Sequence, residues 1–209
     1  MGRYTGSVCR QCRALGKKLF LKGSRCYTDH CSFERRPNAP GPKRRRGKSS
    51  DYSVHLKQKQ IGRRAFGIYE RQFRNYFMRA KGMKGVTGEE LVRLLETRLD
   101  NVIFRLGWAT SRAQARQLVL HRHITVNGRV VNIPSFQVSV GNTIEVKKSK
   151  TKNKYFQEQK ELLTSLPDTH WLSSDLEAYA AKVERLPEPG EMEDSFDPAL
   201  IVEYYSKLV

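Results

Sequence analysis

Residues 111–131 read SRAQARQLVLHRHITVNGRVV, and they carry the clearest structural signal in the chain. Ser111 followed three residues later by Gln114 is a capping-box pattern, in which a hydroxyl and a side-chain amide satisfy amides left unpaired at a helix start. Ala115, Leu118 and Val119 recur at helical spacing and predict a buried face. Arg112 and Arg116 are four residues apart, so they share one side, read here as the exposed one. Ile124-Thr125-Val126 and Arg129-Val130-Val131 flank Asn127-Gly128. Asn-Gly between β-branched runs predicts a type I′ hairpin, because that turn needs positive φ at both central residues.

Downstream, Phe136–Val140 and Thr143–Val146, parted by Gly141-Asn142, predict two more short strands, and with them a small antiparallel sheet. Upstream, Leu91, Leu94, Leu95, Leu99, Val102, Ile103 and Leu106 form a helical core stripe behind a second capping box, Thr87 to Glu90. A polar helix opened by Ser49, Ser50 or Asp51 and closed at Gly67 precedes it. The next helix sets Phe73, Tyr76 and Phe77 against Arg71 and Arg74. After the sheet come a polar helix near 154–165, strand-like pieces at Trp171-Leu172 and Lys182–Leu186, an acidic loop over 187–196 and a short apolar-faced tail. The expected class is α+β. A knuckle and arm over 1–48 and a mainly helical domain over 49–98 precede a second domain over 99–186, whose core module is 99–162.

Charge narrows the function. The chain has 39 Lys and Arg against 21 Asp and Glu, a net +18. The excess lies in residues 1–150, with 33 against 9, whereas residues 151–209 carry 6 against 12. Self-repulsion on that scale calls for a polyanion, either nucleic acid or an anionic membrane surface. No apolar run approaches the ~20 residues of a membrane span, and no secretory or myristoylation pattern is present. A cytoplasmic place with no membrane partner is therefore expected.

All four cysteines fall in the pattern Cys9-x2-Cys12-x13-Cys26-x4-Cys31. Two close pairs joined by a loop suit tetrahedral thiolate ligation. Zn(2+) in a structural role is the leading expectation, because a head of this size lacks the core to hold itself by burial. An iron–sulfur cluster and free buried thiols stay open. His30 could stand in as a ligand, but with four cysteines present it reads as a solvent or phosphate contact.

Arg3, Arg10, Arg13, Arg35, Arg36 and the run Lys43-Arg44-Arg45-Arg46 surround this knuckle. Pro37, Pro40, Gly41 and Pro42 make the arm extended. Lys59, Arg63, Arg64, Arg71 and Arg74 decorate the helices, with Tyr52 among the interleaved aromatics. Guanidinium groups grip phosphate in two-point contacts, and aromatic rings stack on unpaired bases. A third cluster, Ser111, Arg112, Arg116, Gln117, His121, Arg122, His123 and Asn127, lies at the helix start, its expected exposed face and the bend into the hairpin. There is no Gly-rich phosphate loop, zincin motif or nucleophile elbow, so no catalytic residue and no small-molecule substrate is expected. Three readings remain: a structural RNA binder, an RNA-modifying enzyme that docks through this module, and a free mRNA-binding regulator. The ~60 residues after the module leave little room for a catalytic domain.

Arg98-Leu99-Asp100-Asn101-Val102, Ser111-Arg112, Ala115-Arg116-Gln117-Leu118-Val119, His123-Ile124, Val126-Asn127-Gly128, Val130, Pro134-Ser135 and Gly141 resemble the RNA-binding module of the fourth small-subunit ribosomal protein family. Met1-Gly2-Arg3-Tyr4, Ser50-Asp51-Tyr52, Glu70-Arg71-Gln72-Phe73-Arg74-Asn75 and Ile201-Val202-Glu203 with Tyr205-Ser206-Lys207 resemble its bacterial members from end to end. The cysteine spacing is similar to the zinc-bearing branch.

The resemblance implies a structural constituent of the small ribosomal subunit, a primary assembly protein on the 5′ domain of its rRNA. It also implies contact with neighbouring small-subunit proteins (the fifth above all), a place near the channel by which mRNA enters, and an influence on decoding accuracy in translation. In fold, it implies that the tail at 197–209 packs back on the helical domain. The chain departs from the family at Pro40-Gly41-Pro42-Lys43, which replaces Pro-Gly-Gln-His-Gly, and at Asn142, which replaces Asp. It departs again at Arg122, where a glycine is frequent and positive φ would strain arginine, and at Tyr69, where a capping serine is frequent.

Overall fold

A computed structural model of the chain describes residues 4–42, 48–163, 169–175 and 178–207. They divide into two compact units, Met1–Val92 with Glu193–Val209, and Arg93–Met192.

The first unit is helical. Cys9–Leu15 forms α1, a 3-10 turn covers Gly23–Tyr27, and Ser32–Arg35 forms α2. Asp51–Ala65 forms α3, and Ser50 is its cap, accepting from the Ser53 amide at 3.4 Å. Gly67 at φ 63° turns the chain into Glu70–Lys81, α4. Tyr69 holds the cap position of α4 with no side-chain bond to the helix amides, as its ring chemistry dictates. Pro198–Ser206 forms the last helix, α9, with proline in its first turn and Asp197 capping the Ala199 amide at 2.9 Å.

Helix α9 packs on α3 and α4. Its Ile201 and Tyr205 are buried, and the Tyr205 ring stacks on Phe77 at 4.6 Å. The Tyr205 hydroxyl donates to Glu70 at 2.8 Å, and burial followed by that bond pushes its pKa well above the ordinary phenol value.

The second unit mixes helix and sheet. Leu99–Arg105 forms α6 and Arg112–Leu120 α7. Ile124–Val126 is β1, Arg129–Val130 β2 and Thr143–Val146 β3. Lys154–Leu163 forms α8, and Leu172–Asp175 and Ala180–Val183 form β4 and β5. The strands form one antiparallel sheet in the order β2-β1-β3-β5-β4. Val126 pairs with Arg129 around Asn127 (φ 49°) and Gly128 (φ 76°), the hairpin that Asn-Gly specifies. Trp108, Ile124, Ile144, Phe156, Trp171 and Val183 fill the core between sheet and helices. The Tyr155 hydroxyl bonds the Trp108 carbonyl at 2.8 Å, and burial pushes its pKa to about 12.

Two expectations are corrected. The stripe from Leu91 to Leu106 is two helices, since Thr87–Glu96, α5, ends before an extended Arg98 (φ −70°, ψ 138°). Phe136–Val140 is no strand of the sheet; it pairs instead with that break. Arg98 bridges to Gln137, the Val138 amide reaches the Thr97 carbonyl at 2.9 Å, and Leu99 reaches the Phe136 carbonyl at 2.8 Å. Each segment supplies the partners that the other's backbone lacks.

No helix among the described residues is long and apolar enough to cross a membrane.

Candidate nucleic-acid interface

Helix α7 starts where the sequence places it. Ser111 accepts from the Gln114 amide at 3.3 Å, but the Gln114 carboxamide reaches one residue further back than a capping box requires. It accepts from the Thr110 amide and hydroxyl at 2.9 and 2.7 Å. The helix ends in a Schellman motif: the Arg122 amide bonds the Val119 carbonyl at 2.9 Å and the His123 amide bonds Leu118 at 3.1 Å. Arg122 takes the left-handed conformation there, at φ 59°, so the bend that favours glycine is kept with an arginine in it. Its side chain is exposed, as are those of His121 and Gln117.

The two arginines of α7 are less exposed than the spacing suggests. Arg116 is buried, its guanidinium 3.5 Å from Asp100. Asp100 also holds the fully buried Arg98 through two bonds, at 2.6 and 3.0 Å. The Asp100 carboxylate, shared with Arg98, offsets part of the cost of taking the Arg116 guanidinium out of water. The Arg116 Nε has no hydrogen-bond partner among the described residues.

Arg112 is half-buried. Its Nε donates to Asn101 at 2.7 Å, and its guanidinium lies 4.7 Å over the Phe104 ring. Asn101 donates in turn to Glu96 at 2.6 Å, and Arg105 grips Glu96 at 2.7 and 2.9 Å. Arg112 is thus a cation held in one orientation by α6, which suits recognition of a shaped anion. Asn127 is exposed, and its carboxamide oxygen ties the hairpin turn to the Thr143 amide at 2.8 Å. His123 is half-buried, with its ring 6.3 Å from His121. Burial, then Lys150 and His121, hold its pKa below the ordinary histidine value.

On the first unit, Arg10, Arg35, Arg36, Arg71 and Arg74 are exposed. Arg13 bonds the Asn38 carbonyl at 2.9 Å. Tyr52 is exposed beside Tyr204 at 5.7 Å. Lys59 is corrected from a surface contact to a buried one. It pairs with Glu70 at 2.8 Å and sits 4.8 Å over the Tyr204 ring, because α9 covers it. Arg63 is clamped by Gln60 at 2.7 and 3.1 Å. Arg64 is half-buried beside it, and burial followed by the Arg63 charge lowers its pKa. Arg3, Lys43, Arg44, Arg45 and Arg46 lie outside the described residues. Sequence alone does not single out Glu96, Asp100 and Asn101 as organisers of the arginines, although the motif Arg98-Leu99-Asp100-Asn101 contains two of them.

Cys9, Cys12, Cys26 and Cys31 line one small cavity with Val8, Leu21 and Phe33. All four are unpaired thiols, and the last three are buried. The Lys22 amide donates to the Cys26 sulfur at 3.3 Å. Burial is the largest cause of a raised Cys12 pKa, and the other three cysteines add to it. The donor set therefore has the chemistry a soft metal ion requires. As they stand, no three His, Cys, Asp or Glu among the described residues are arranged to ligate one.

A helical unit joined to a capped helix–hairpin sheet, both lined with arginine, is the architecture of an S4-domain protein. Residues 97–144 match the S4 domain, and residues 3–96 match the Ribosomal protein S4/S9 N-terminal domain. The small ribosomal subunit protein uS4 of Maridesulfovibrio salexigens is 50% identical over 99% of this chain and the whole of its own length. Those of Nitratidesulfovibrio vulgaris and Solidesulfovibrio magneticus are 51% and 52% identical with the same coverage. The chain belongs to the uS4 family of ribosomal proteins.

Proposed function

We propose that this protein is a structural, non-enzymatic constituent of the cytoplasmic small ribosomal subunit that binds its rRNA directly. The observation that carries the reading is the α7 surface. An oriented Arg112, a cap at Ser111 and an exposed Arg122 sit on one helix in a chain of net +18 whose other unit carries arginines of its own. Arginine contacts supply affinity, and a fixed surface supplies recognition of RNA shape. The finer reading is a primary assembly protein on the 5′ domain, touching the fifth small-subunit protein near the channel by which mRNA enters, with an effect on decoding. Full-length similarity to uS4 proteins supports it. Co-sedimentation with the small subunit in high salt, together with direct binding to isolated small-subunit rRNA, tests the role. Free protein under both conditions would refute it.

Cys9, Cys12, Cys26 and Cys31 hold a zinc ion in this reading; their shared cavity and the amide bond to Cys26 support it. Zinc there would stabilise the head without redox chemistry. Purified, reduced protein should carry about one zinc equivalent, and Cys26→Ser should disorder the head while sparing the second unit. Protein free of zinc and iron would refute the metal, and iron in place of zinc would identify a cluster.

A further inference from the structure

The first unit contains a cleft of about 350 Å³ between α1, the turn at Pro40 and the α3–α4 junction. That volume is in the range of small-ligand sites. Arg10, Arg63 and Arg64 line it, with Tyr4 and Tyr69 and the side chain of Gln11. Three guanidiniums in one cleft give it an excess of positive charge, although Arg63 is already held by Gln60 at 2.7 and 3.1 Å. The nearest carboxylate to Arg63 is Glu70 at 3.6 Å, already engaged by Lys59 and the Tyr205 hydroxyl. No ion pair to Arg10 or Arg64 occurs among the described residues. Arg64 is half-buried beside the Arg63 charge, an arrangement that an incoming phosphate would relieve.

The rings point to what accompanies the phosphate. Tyr4 and Tyr69 are about half exposed, at 49% and 47%. Tyr69 occupies the cap position of α4 without capping it, where serine would bond a helix amide. A half-exposed ring that caps nothing therefore lines a cationic cleft.

We propose that the cleft takes one unpaired RNA nucleotide, its phosphate on Arg64, Arg63 and Arg10 and its base against Tyr69. This rests on the RNA-binding reading above. A cleft of this size excludes a duplex, so the nucleotide must be splayed out of its helix, as single-stranded recognition requires. Stacking on an aromatic face is tolerant of base identity, so any of the four bases could occupy it. An acidic peptide would satisfy the arginines but leave the rings unused.

The test titrates the full-length protein with GMP, guanosine and inorganic phosphate, following the heat of binding. GMP should bind more tightly than either part alone. Tyr69→Ser should weaken GMP on the order of fivefold or more, while its thermal midpoint holds or rises because serine can cap α4. Arg64→Gln should bring GMP down to the level of guanosine. GMP no tighter than inorganic phosphate, or unaffected by Tyr69→Ser, would overturn the proposal. So would an acidic peptide that outcompetes GMP. Binding of small-subunit rRNA is measured on the same samples. If the wild-type protein binds rRNA but shows no preference for GMP, the cleft assignment alone fails. If it binds no rRNA, the reading beneath it fails.

Discussion

Replacing Arg122 with glycine should stabilise the second unit and weaken its hold on RNA. Arg122 sits at φ 59° in the Schellman turn that closes α7, a conformation in which the side chain crowds its own backbone. For a residue other than glycine that conformation costs about 1–2 kcal/mol. Glycine removes the cost but gives back about 0.5–1 kcal/mol, because it loses more freedom on folding. The net gain is at most about 1.5 kcal/mol, or up to roughly 6 °C in Tm for a chain of this size. The side chain is exposed and makes no ion pair among the described residues, so no protein contact offsets the gain. If its guanidinium meets a phosphate, the variant loses about one counterion-release step, and the slope of log affinity against log salt becomes shallower by about 0.7–0.9. Thermal denaturation and rRNA titrations at several salt concentrations read the two effects. A lower Tm would refute the strain argument, and an unchanged salt slope would refute the phosphate contact.

Other consequences follow from the buried groups. Asp100→Asn leaves Arg98 and Arg116 buried without their carboxylate and should cost about 3–5 kcal/mol in urea denaturation; a loss under about 1 kcal/mol would mean solvent reaches these cations. The His123 pKa is depressed in the fold, so the unfolded chain binds the proton more tightly. Stability should therefore fall as pH drops below the ordinary value near 6.5, through the window down to the folded pKa. His123→Gln should flatten that part of the Tm–pH curve, and an unaltered curve would exclude His123 as its source.

What the sequence disclosed was local. The Ser111 cap, the Asn127-Gly128 hairpin and the gathering of the cysteines each depend on residues a few positions apart or on a repeated spacing, so their physics is complete within the quoted motif. Arg116 looked exposed because its spacing from Arg112 is helical, but its burial is set by Asp100 on another helix. The break at Thr97-Arg98 was hidden inside an unbroken apolar stripe, since the residues that stabilise it, Phe136 to Val138, lie some 40 positions on. Lys59 read as a surface cation until α9, far along the chain, covered it. The cleft at Arg64 is not legible in the sequence for a similar reason. Tyr69 was visible only as a missing cap, and its neighbours come from three separate segments.

The packing of α9 on α3 also bears on synthesis. About 130 residues separate the end of α3 from the start of α9, and at ~5–20 residues per second a ribosome takes on the order of ten seconds to make them. Throughout that interval Lys59 and His55 lack the helix that buries them, and Phe77 lacks the ring that stacks on it. The second unit, whose strands and helices all precede α9, has its whole sequence in hand first. Because α9 is the last element made, the closing helix becomes a timer on when the arginines of α3 and α4 stand on a finished scaffold.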